Sequence, residues 1–566
     1  MEAAPEERLV IVAGPGAGKT AVIVERVRAL IEDGGLDRPG DILVVSFSRA
    51  AVGVVADRLA GVEDADSVEV RTLDSIAAEI LDEEGVDGWE SMSFDARIRR
   101  ALSELRDGSE PRILDVAHLI VDEVQDIVGE RADLVIEALR KLDDDAGFTL
   151  LGDPMQAIYD FQLGPKGGTG WKGLMAAATN DLGGRQTQLN GDYRSKDDQI
   201  RNAVQARRKL SSVDAVPRQA LALAHVLNEF PSAGSVEAFA RYVPRWAGST
   251  AVLTWTNGEA LSVWDQLWQA GVPARLQRRA EEVVLVPWIA SVMSQVQGHF
   301  VDRERFLSLA AATEEVPDDA WEKLRRASPG YNDEIDVAAL ARNLRRGDPP
   351  PGLEARGDGV VVSTIHRAKG LEFDNVVLVG PAQQLSPARK PTEQTVREAY
   401  VAMTRGMARL VVAEWTRDLR LRKEPRTDRW YVPGYEKWMT RGFEVRGGDT
   451  AVPAGDDVEW ANSQEYLRTA VSPGDVVELA LDPRRSFEVP TYRVLHEGTP
   501  VGRTNPDFGA ALSARVRMRQ ASGRAWPELV GARVEALETR TGAGGGAERP
   551  YFWLNPRVAG LANLEW

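Results

Sequence analysis

The chain has 566 residues, 43% apolar and 27% charged, with a formal net charge of −17, five histidines and no cysteine. That length exceeds what one hydrophobic core organises, so several domains are expected. The missing cysteines exclude disulfides, thiolate-bound zinc and iron–sulfur clusters, and no apolar run reaches the roughly 20 residues that span a bilayer.

The opening residues Met1 to Glu7 are acidic, unlike a secretory leader, and with the absence of cysteine they point to the cytoplasm and away from membranes. An apolar run at 9–13 then reads as a buried strand. It feeds Ala13-Gly14-Pro15-Gly16-Ala17-Gly18-Lys19-Thr20, the P-loop pattern G-x-x-x-x-G-K-[ST] with alanine in the first position. Glycines there let successive N–H groups turn toward one phosphate, and a helix beginning near Lys19 adds its positive end. Gly14, Gly16, Ala17 and Gly18 form the cradle in this reading. Lys19 reaches the β- and γ-phosphates, and the Thr20 hydroxyl ligates Mg²⁺.

Further strand-like runs follow at 42–47, 68–72, 118–121 and 148–152. The run at 118–121 delivers Asp122 and Glu123 to its C-terminal end. In a phosphoryl-transfer site a carboxylate so placed holds Mg²⁺, here Asp122, and its neighbour Glu123 orients and deprotonates the attacking water. The theme repeats at 251–256, 360–365, 375–380 and 408–414, so two parallel α/β cores are expected. Residues 348–352 read as a hinge and 447–457 as a linker. From about 457 onward, short strand-like runs at 476–481 and 491–496 and the Gly/Pro-rich stretch 498–505 suggest a small antiparallel barrel.

The net charge alone argues against a nucleic-acid partner, but a motor needs only a local basic groove, and basic clusters occur at 207–209, 342–346 and 417–429.

Four further blocks complete a pattern: Gly152-Asp153-Pro154-Met155-Gln156, Asp192-Tyr193-Arg194, His366-Arg367-Ala368-Lys369-Gly370-Leu371-Glu372-Phe373 and Thr404-Arg405. With these the chain resembles the UvrD/PcrA/Rep family of superfamily 1A DNA helicases from about residue 9 to 414. The resemblance implies an α/β protein: two RecA-like parallel-sheet P-loop NTPase cores with short accessory insertions and a small C-terminal β-rich domain. The implied domains are a first core at 1–188 (insertion about 82–117), a second core at 189–448 (insertion about 277–359) and a β-barrel-like module at 458–566.

The resemblance also assigns roles. Gln156 senses the γ-phosphate, and Arg194 and Arg405 act on it as arginine fingers. Tyr193 stacks on adenine and Glu372 touches the ribose. Phe47, Tyr159, Phe161 and His366 line the path of a single strand, with Arg49 and Thr72 in the early DNA-contact motifs. ATP and Mg²⁺ are the implied cofactors, and single-stranded DNA or a tailed duplex is the implied partner. The implied activity is ATP-dependent 3′→5′ single-stranded DNA translocation or unwinding, in repair, recombination or phage defence.

Relative to that family both insertion slots are short, which suggests a stripped-down motor. No glutamine stands among residues 1–8 to read the adenine edge, leaving Tyr193 as the expected base contact. The tail is faintly similar to HIRAN-type modules. Arg515, Arg517, Arg519 and Arg524 offer phosphate contacts there, and Tyr551, Phe552 and Trp553 an apolar anchor. It can equally be a protein-docking module, and it carries no nuclease signature. A second reading therefore stands beside the motor: a regulatory DNA-sensing ATPase subunit that gates a partner nuclease or polymerase.

Overall fold

The structure is a computed structural model and describes every residue except 1–3, 47–48, 60, 63–67, 160–162, 164–167, 206–214, 279–281, 283, 297, 314–315, 329–333, 346–351, 356, 358, 416–420, 437–438, 452–457, 487–488, 521–525 and 543–550. The chain divides into two compact units. The first comprises Met1–Ala233, Ala247–Ser249 and Ala368–Glu414; the second comprises Gly234–Trp246, Thr250–Arg367 and Trp415–Trp566. No helix among the described residues is long and apolar enough to cross a membrane.

The first unit is built on six strands: β1 (Arg8–Ala13), β2 (Ile42–Ser46), β3 (Val68–Thr72), β4 (His118–Val121), β5 (Gly147–Gly152) and β6 (Arg185–Leu189), in the order β3-β2-β4-β5-β1-β6. Every pairing is parallel. Strands β1, β2, β4 and β5 are largely apolar and almost continuously buried because both faces are covered, as parallel sheets require. Side chains alternate between those faces. Leu9 and Ile11 of β1 pack with α1 (Lys19–Glu32) and α2 (Arg49–Leu59). Val10 packs in the opposite layer with α3 (Leu73–Glu83), α4 (Phe94–Arg106) and α5 (Glu130–Lys141).

The strand register sets Val12 beside Gly152 and Val121 beside Leu150. The turns after β1, β4 and β5 therefore leave one edge of the sheet together, where ligands of open α/β sheets bind. The same unit contains a second parallel pair, Phe373–Val379 with Gly406–Ala413, joined through the helix Glu393–Met403, whose Val396 and Ala399 to Met403 are buried.

Strand β6 has no counterpart among the expected runs. Its sequence RQTQL is polar and largely exposed, and it is held to β1 by backbone pairing at the sheet edge, so no apolar alternation marks it.

In the second unit the parallel strands Thr250–Thr254, Val360–Thr364 and Ala274–Leu276 lie side by side. The helix Asn257–Gln269 starts at a capping box between Thr256 and Glu259. An eight-stranded sheet fills the C-terminal part. In sheet order its strands are Arg422–Glu424, Arg429–Pro433, Thr440–Val445, Phe552–Glu565, Glu528–Thr541, Val476–Leu481, Tyr492–His496 and Thr499–Arg503, with all pairings antiparallel.

The insertion and this sheet share one hydrophobic core: Ile289, Phe306, Trp321 and Leu340 pack in the same cluster as Phe443, Leu467, Tyr492, Phe508 and Trp553. A buried ionic cluster ties the same segments. Arg557 meets Glu282, Glu535 and Glu538, and Arg278 Nε lies 3.2 Å from Glu535.

The stretch expected as a linker, 447–457, departs from that reading over its described part. Gly447, Asp449 and Thr450 are buried, and Arg429 grips Asp449 with two bonds of 2.6 Å. A bidentate guanidinium–carboxylate pair at this depth fixes the turn in place. The expected hinge at 348–352 lies outside the described residues except for Gly352.

Candidate functional site

The turn after β1 is shaped by two glycines. Gly16 and Gly18 have φ of 69° and 84°, the left-handed region that glycine enters freely. A Cβ on Gly16 would stand 2.1 Å from Asp192 Oδ1, so the position also demands a missing side chain. Helix α1 opens at Lys19 without a side-chain cap, leaving its first N–H groups directed at the cradle.

From β4, Asp122 and Glu123 enter the same place. Glu123 sits at φ 52°, rare for a residue with a side chain, and its N–H donates to Asp122 Oδ1 at 2.8 Å. Lys19 Nζ lies 3.2 Å from Glu123 Oε1. Gln125 Nε2 donates to Glu123 Oε2 at 2.5 Å, and Gln125 Oε1 accepts from the Asp153 N–H at 2.9 Å.

The electrostatics follow from burial and crowding. Burial, then the adjacent Glu123 charge, push the Asp122 carboxyl above its ordinary range. Burial also opposes ionisation of Glu123, but Lys19 and the Gln125 hydrogen bond outweigh it and hold its pKa low. For Lys19 burial works against the charge, while Glu123, Asp122 and Asp153 together keep its pKa raised. The pocket is thus short of positive charge at Asp122. Asp122 and the Thr20 hydroxyl are oxygen donors of the kind Mg²⁺ takes, and a nucleotide's phosphates would complete its shell. Among the described residues no group of three or more His, Cys, Asp or Glu side chains is placed to hold a metal alone.

After β5, Asp153 caps the turn through Met155 N–H at 3.1 Å and holds Gln156 Nε2 at 2.8 Å. Gln156 Oε1 accepts from Arg405 Nη2 at 3.0 Å. Arg405 is also anchored on the carbonyls of Val401 and Leu371, and burial, then the neighbouring Arg194 charge, lower its pKa to about 10. Arg194 bonds Glu372 Oε1 at 2.6 Å and the Thr404 carbonyl at 2.7 Å.

Asp192, which receives the Arg194 N–H at 3.0 Å, places the neighbouring Tyr193 over the P-loop, where its N–H donates to the Gly16 carbonyl at 2.8 Å. The Tyr193 ring rests against Gly191 and is 83% exposed, an open platform for a flat ring. Lys19, Asp122, Glu123, Gln156, Arg194, Arg405, Tyr193 and Glu372 therefore belong to one chain of contacts, in which Gln125 and Asp153 stand between Glu123 and Gln156.

The nucleic-acid residues fare differently. Phe47, Phe161 and the side chain of Arg49 lie outside the described residues. Tyr159 is half-buried with Lys369 Nζ 4.8 Å from its ring centre. Lys369 itself is ion-paired with Asp126, whose carboxyl burial raises to about 6. The Thr72 hydroxyl is engaged in a capping box with Ser75 at the start of α3. His366, in the second unit, is half-buried in the turn after Val360–Thr364.

Sequence reasoning did not single out Gln125, Asp153, Asp192 or Lys369. All four stand inside the recognised blocks or within two residues of them, the only signal that marks them.

Residues 1–162 match the family described as AAA domain, and residues 340–416 the UvrD-like helicase C-terminal domain. Over 120 residues, 20% of this chain, the sequence is 32% identical to ATP-dependent DNA helicase UvrD2 of Mycobacterium tuberculosis and of Mycobacterium bovis, and the match spans 16% of the length of those proteins. Among solved structures, the Pif1 helicase from Candida albicans is similar at 15% identity, covering 73% of this chain and 92% of that one with a TM-score of 0.35. The NS3-like helicase from Alongshan virus is similar at 12% identity, covering 72% of each chain with a TM-score of 0.29.

Proposed function

The chain belongs to the UvrD-like group of superfamily 1 helicases, and from that premise we propose that it is an ATP hydrolase whose turnover drives 3′→5′ movement along single-stranded DNA. The observation that carries this reading is the connected constellation of Lys19, Glu123, Gln156 and Arg405 at the edge of a parallel sheet.

In this reading the P-loop N–H groups and Lys19 take the phosphates. Lys19, paired with Glu123 without nucleotide, turns to the γ-phosphate and releases Glu123 to orient and deprotonate the attacking water. Thr20 and Asp122 would hold Mg²⁺, which neutralises phosphate charge when bound. Arg405 and Arg194 present planar guanidinium groups to the charge that spreads over the transferred phosphoryl, and Gln156 holds Arg405 in register with Asp153. Tyr193 stacks on the base.

Tyr159, Phe47 and Phe161, with Arg49 and Thr72, are the proposed strand contacts of the first unit, and His366 that of the second, since an aromatic ring stacks on any base. The proposed parts are cores at 1–188 and 189–448 and a module at 458–566, with the strands between 422 and 445 pairing into the module's sheet. The setting is cytoplasmic repair, recombination or phage defence.

A second reading is a nucleic-acid-sensing ATPase subunit that gates a partner nuclease or polymerase. It is favoured by the core that the insertion shares with the C-terminal sheet, which gives a partner a fixed platform. Steady-state ATP hydrolysis with and without single-stranded DNA, and then with RNA, tests the proposal. Stimulation by DNA together with streptavidin displacement from the 5′ end of a strand supports the motor. Stimulation without displacement supports the gate, and absence of hydrolysis refutes both.

A further inference from the structure

Between the water-activating carboxylate and the arginine finger runs an unbroken line of buried hydrogen bonds. Glu123 Oε2 accepts from Gln125 Nε2 at 2.5 Å; Gln125 Oε1 accepts from Asp153 N–H at 2.9 Å. Asp153 Oδ2 accepts from Gln156 Nε2 at 2.8 Å, and Gln156 Oε1 accepts from Arg405 Nη2 at 3.0 Å. Gln125, Asp153, Gln156 and Arg405 are only 1%, 0%, 4% and 3% exposed.

The chemistry of the line dictates the residue type at 125. Its oxygen must face the Asp153 N–H and its nitrogen must face the Glu123 carboxylate. A side-chain amide supplies a donor and an acceptor from one short planar group without titrating, and the reverse orientation would set donor against donor and oxygen against carboxylate. A glutamate at 125 would oppose two carboxylates, and an apolar residue would leave the buried Asp153 N–H unsatisfied.

The backbone is built around this amide. Glu123 is held in the left-handed region, which aims its carboxylate back at Gln125 and Lys19. Gly152 leaves the space: a Cβ there would stand 2.7 Å from Gln125 Oε1 and 2.6 Å from Val124 Cγ2.

We propose that Gln125 is a positioning residue for nucleotide hydrolysis: its amide fixes the Glu123 carboxylate and, through Asp153 and Gln156, sets base, phosphate sensor and Arg405 finger as one rigid line. This rests on the hydrolase reading above. Both polar atoms of the Gln125 amide are already engaged, by the Glu123 carboxylate and by the Asp153 N–H. Gln125 acts by holding Glu123 Oε2 in place beside the Lys19 pair at Oε1, and it makes a shift at Arg405 felt at the base four hydrogen bonds away.

The test is single-turnover hydrolysis of γ-labelled ATP by the full chain, combined with titration of a fluorescent ATP analogue. Gln125→Met keeps the volume and removes the amide. The expected result is a loss of hydrolysis rate of roughly tenfold to a hundredfold, the usual effect of removing a group that orients a reacting one. Affinity for the analogue should stay within about threefold.

A second variant, Gly152→Ala, displaces the amide from the β5 side without deleting it and should lower the rate in the same selective way. The decisive arm is the double variant: in a Glu123→Gln background, Gln125→Met should cost nothing further, because the carboxylate it positions is gone.

Equal losses in both backgrounds, or a wild-type rate in Gln125→Met, overturn the role of Gln125 while leaving the hydrolase reading intact. A wild-type chain without hydrolysis overturns the hydrolase reading and the inference with it, whereas Glu123→Gln with an undiminished rate removes Glu123 as the base and overturns the inference while hydrolysis itself stands.

Discussion

Replacing His118 by glutamine probes the strand that delivers the two carboxylates. His118 opens β4, four residues before Asp122, and is fully buried. Its Nδ1 lies 2.6 Å from the Pro5 carbonyl and its Nε2 2.9 Å from Thr149 Oγ1, so the neutral ring donates to the first and accepts from the second. Burial, then the charge of Arg26, lower its pKa from the ordinary 6.5 to about 3. A base whose pKa is lower folded than unfolded adds stability that is complete above pH 6.5 and erodes as pH falls toward the folded value. Each unit of pH within that window is worth up to about 1.4 kcal/mol. Integrated from pH 7 to pH 5 with these two values, the group removes roughly 2 kcal/mol.

Glutamine reproduces the donor and acceptor without titrating. The difference between wild type and His118→Gln should therefore shift by about 2 kcal/mol over those two units, wild type losing more. Hydrogen exchange at the amides of β4, corrected for intrinsic rates, reads the opening free energy of this sheet without requiring the whole chain to unfold in one step. The ¹³Cε1 resonance of His118 gives the titration directly. Identical pH dependence in the two proteins, or a His118 resonance that titrates near 6.5, would refute the reasoning.

Lys19→Ala should lose both tight nucleotide binding and turnover, whereas Glu123→Gln should bind nucleotide and fall at least about a hundredfold in hydrolysis; titration and turnover assays separate the two. Arg405→Lys keeps the charge but cannot span Gln156, Val401 and Leu371, and a drop of about 10³ in hydrolysis with binding retained is expected from the same pair of assays. Asp449→Ala strands the buried Arg429 guanidinium and should destabilise the C-terminal sheet by about 3–5 kcal/mol, seen as a lower unfolding midpoint for that transition.

What could be read ahead of the structure divides along physical lines. Strands β1, β2, β4 and β5 were legible because a parallel sheet covered on both faces writes itself as a predominantly apolar run. Strand β6 was not, since backbone pairing to β1 holds it and its side chains face solvent. Lys19, Asp122 and Glu123 stand in blocks whose residue types phosphate chemistry favours, and the structure brings the three together. Gln125 and Asp153 were not legible: a buried amide has meaning only through the partners that tertiary folding brings, here one 28 positions away.

The same limit explains the insertion. Its apolar residues announce a core but cannot name the surface that completes it, and Phe306 and Trp553 meet in one cluster across almost half the chain. Thr72 marks the opposite case. The sequence Thr72-Leu73-Asp74-Ser75 carries a helix-start signal, and the structure uses the threonine hydroxyl in that cap. A strand contact by Thr72 must then come from its methyl or backbone. Thr72→Ser, which keeps the cap and removes only the methyl, should leave α3 intact and expose any apolar contribution to DNA affinity.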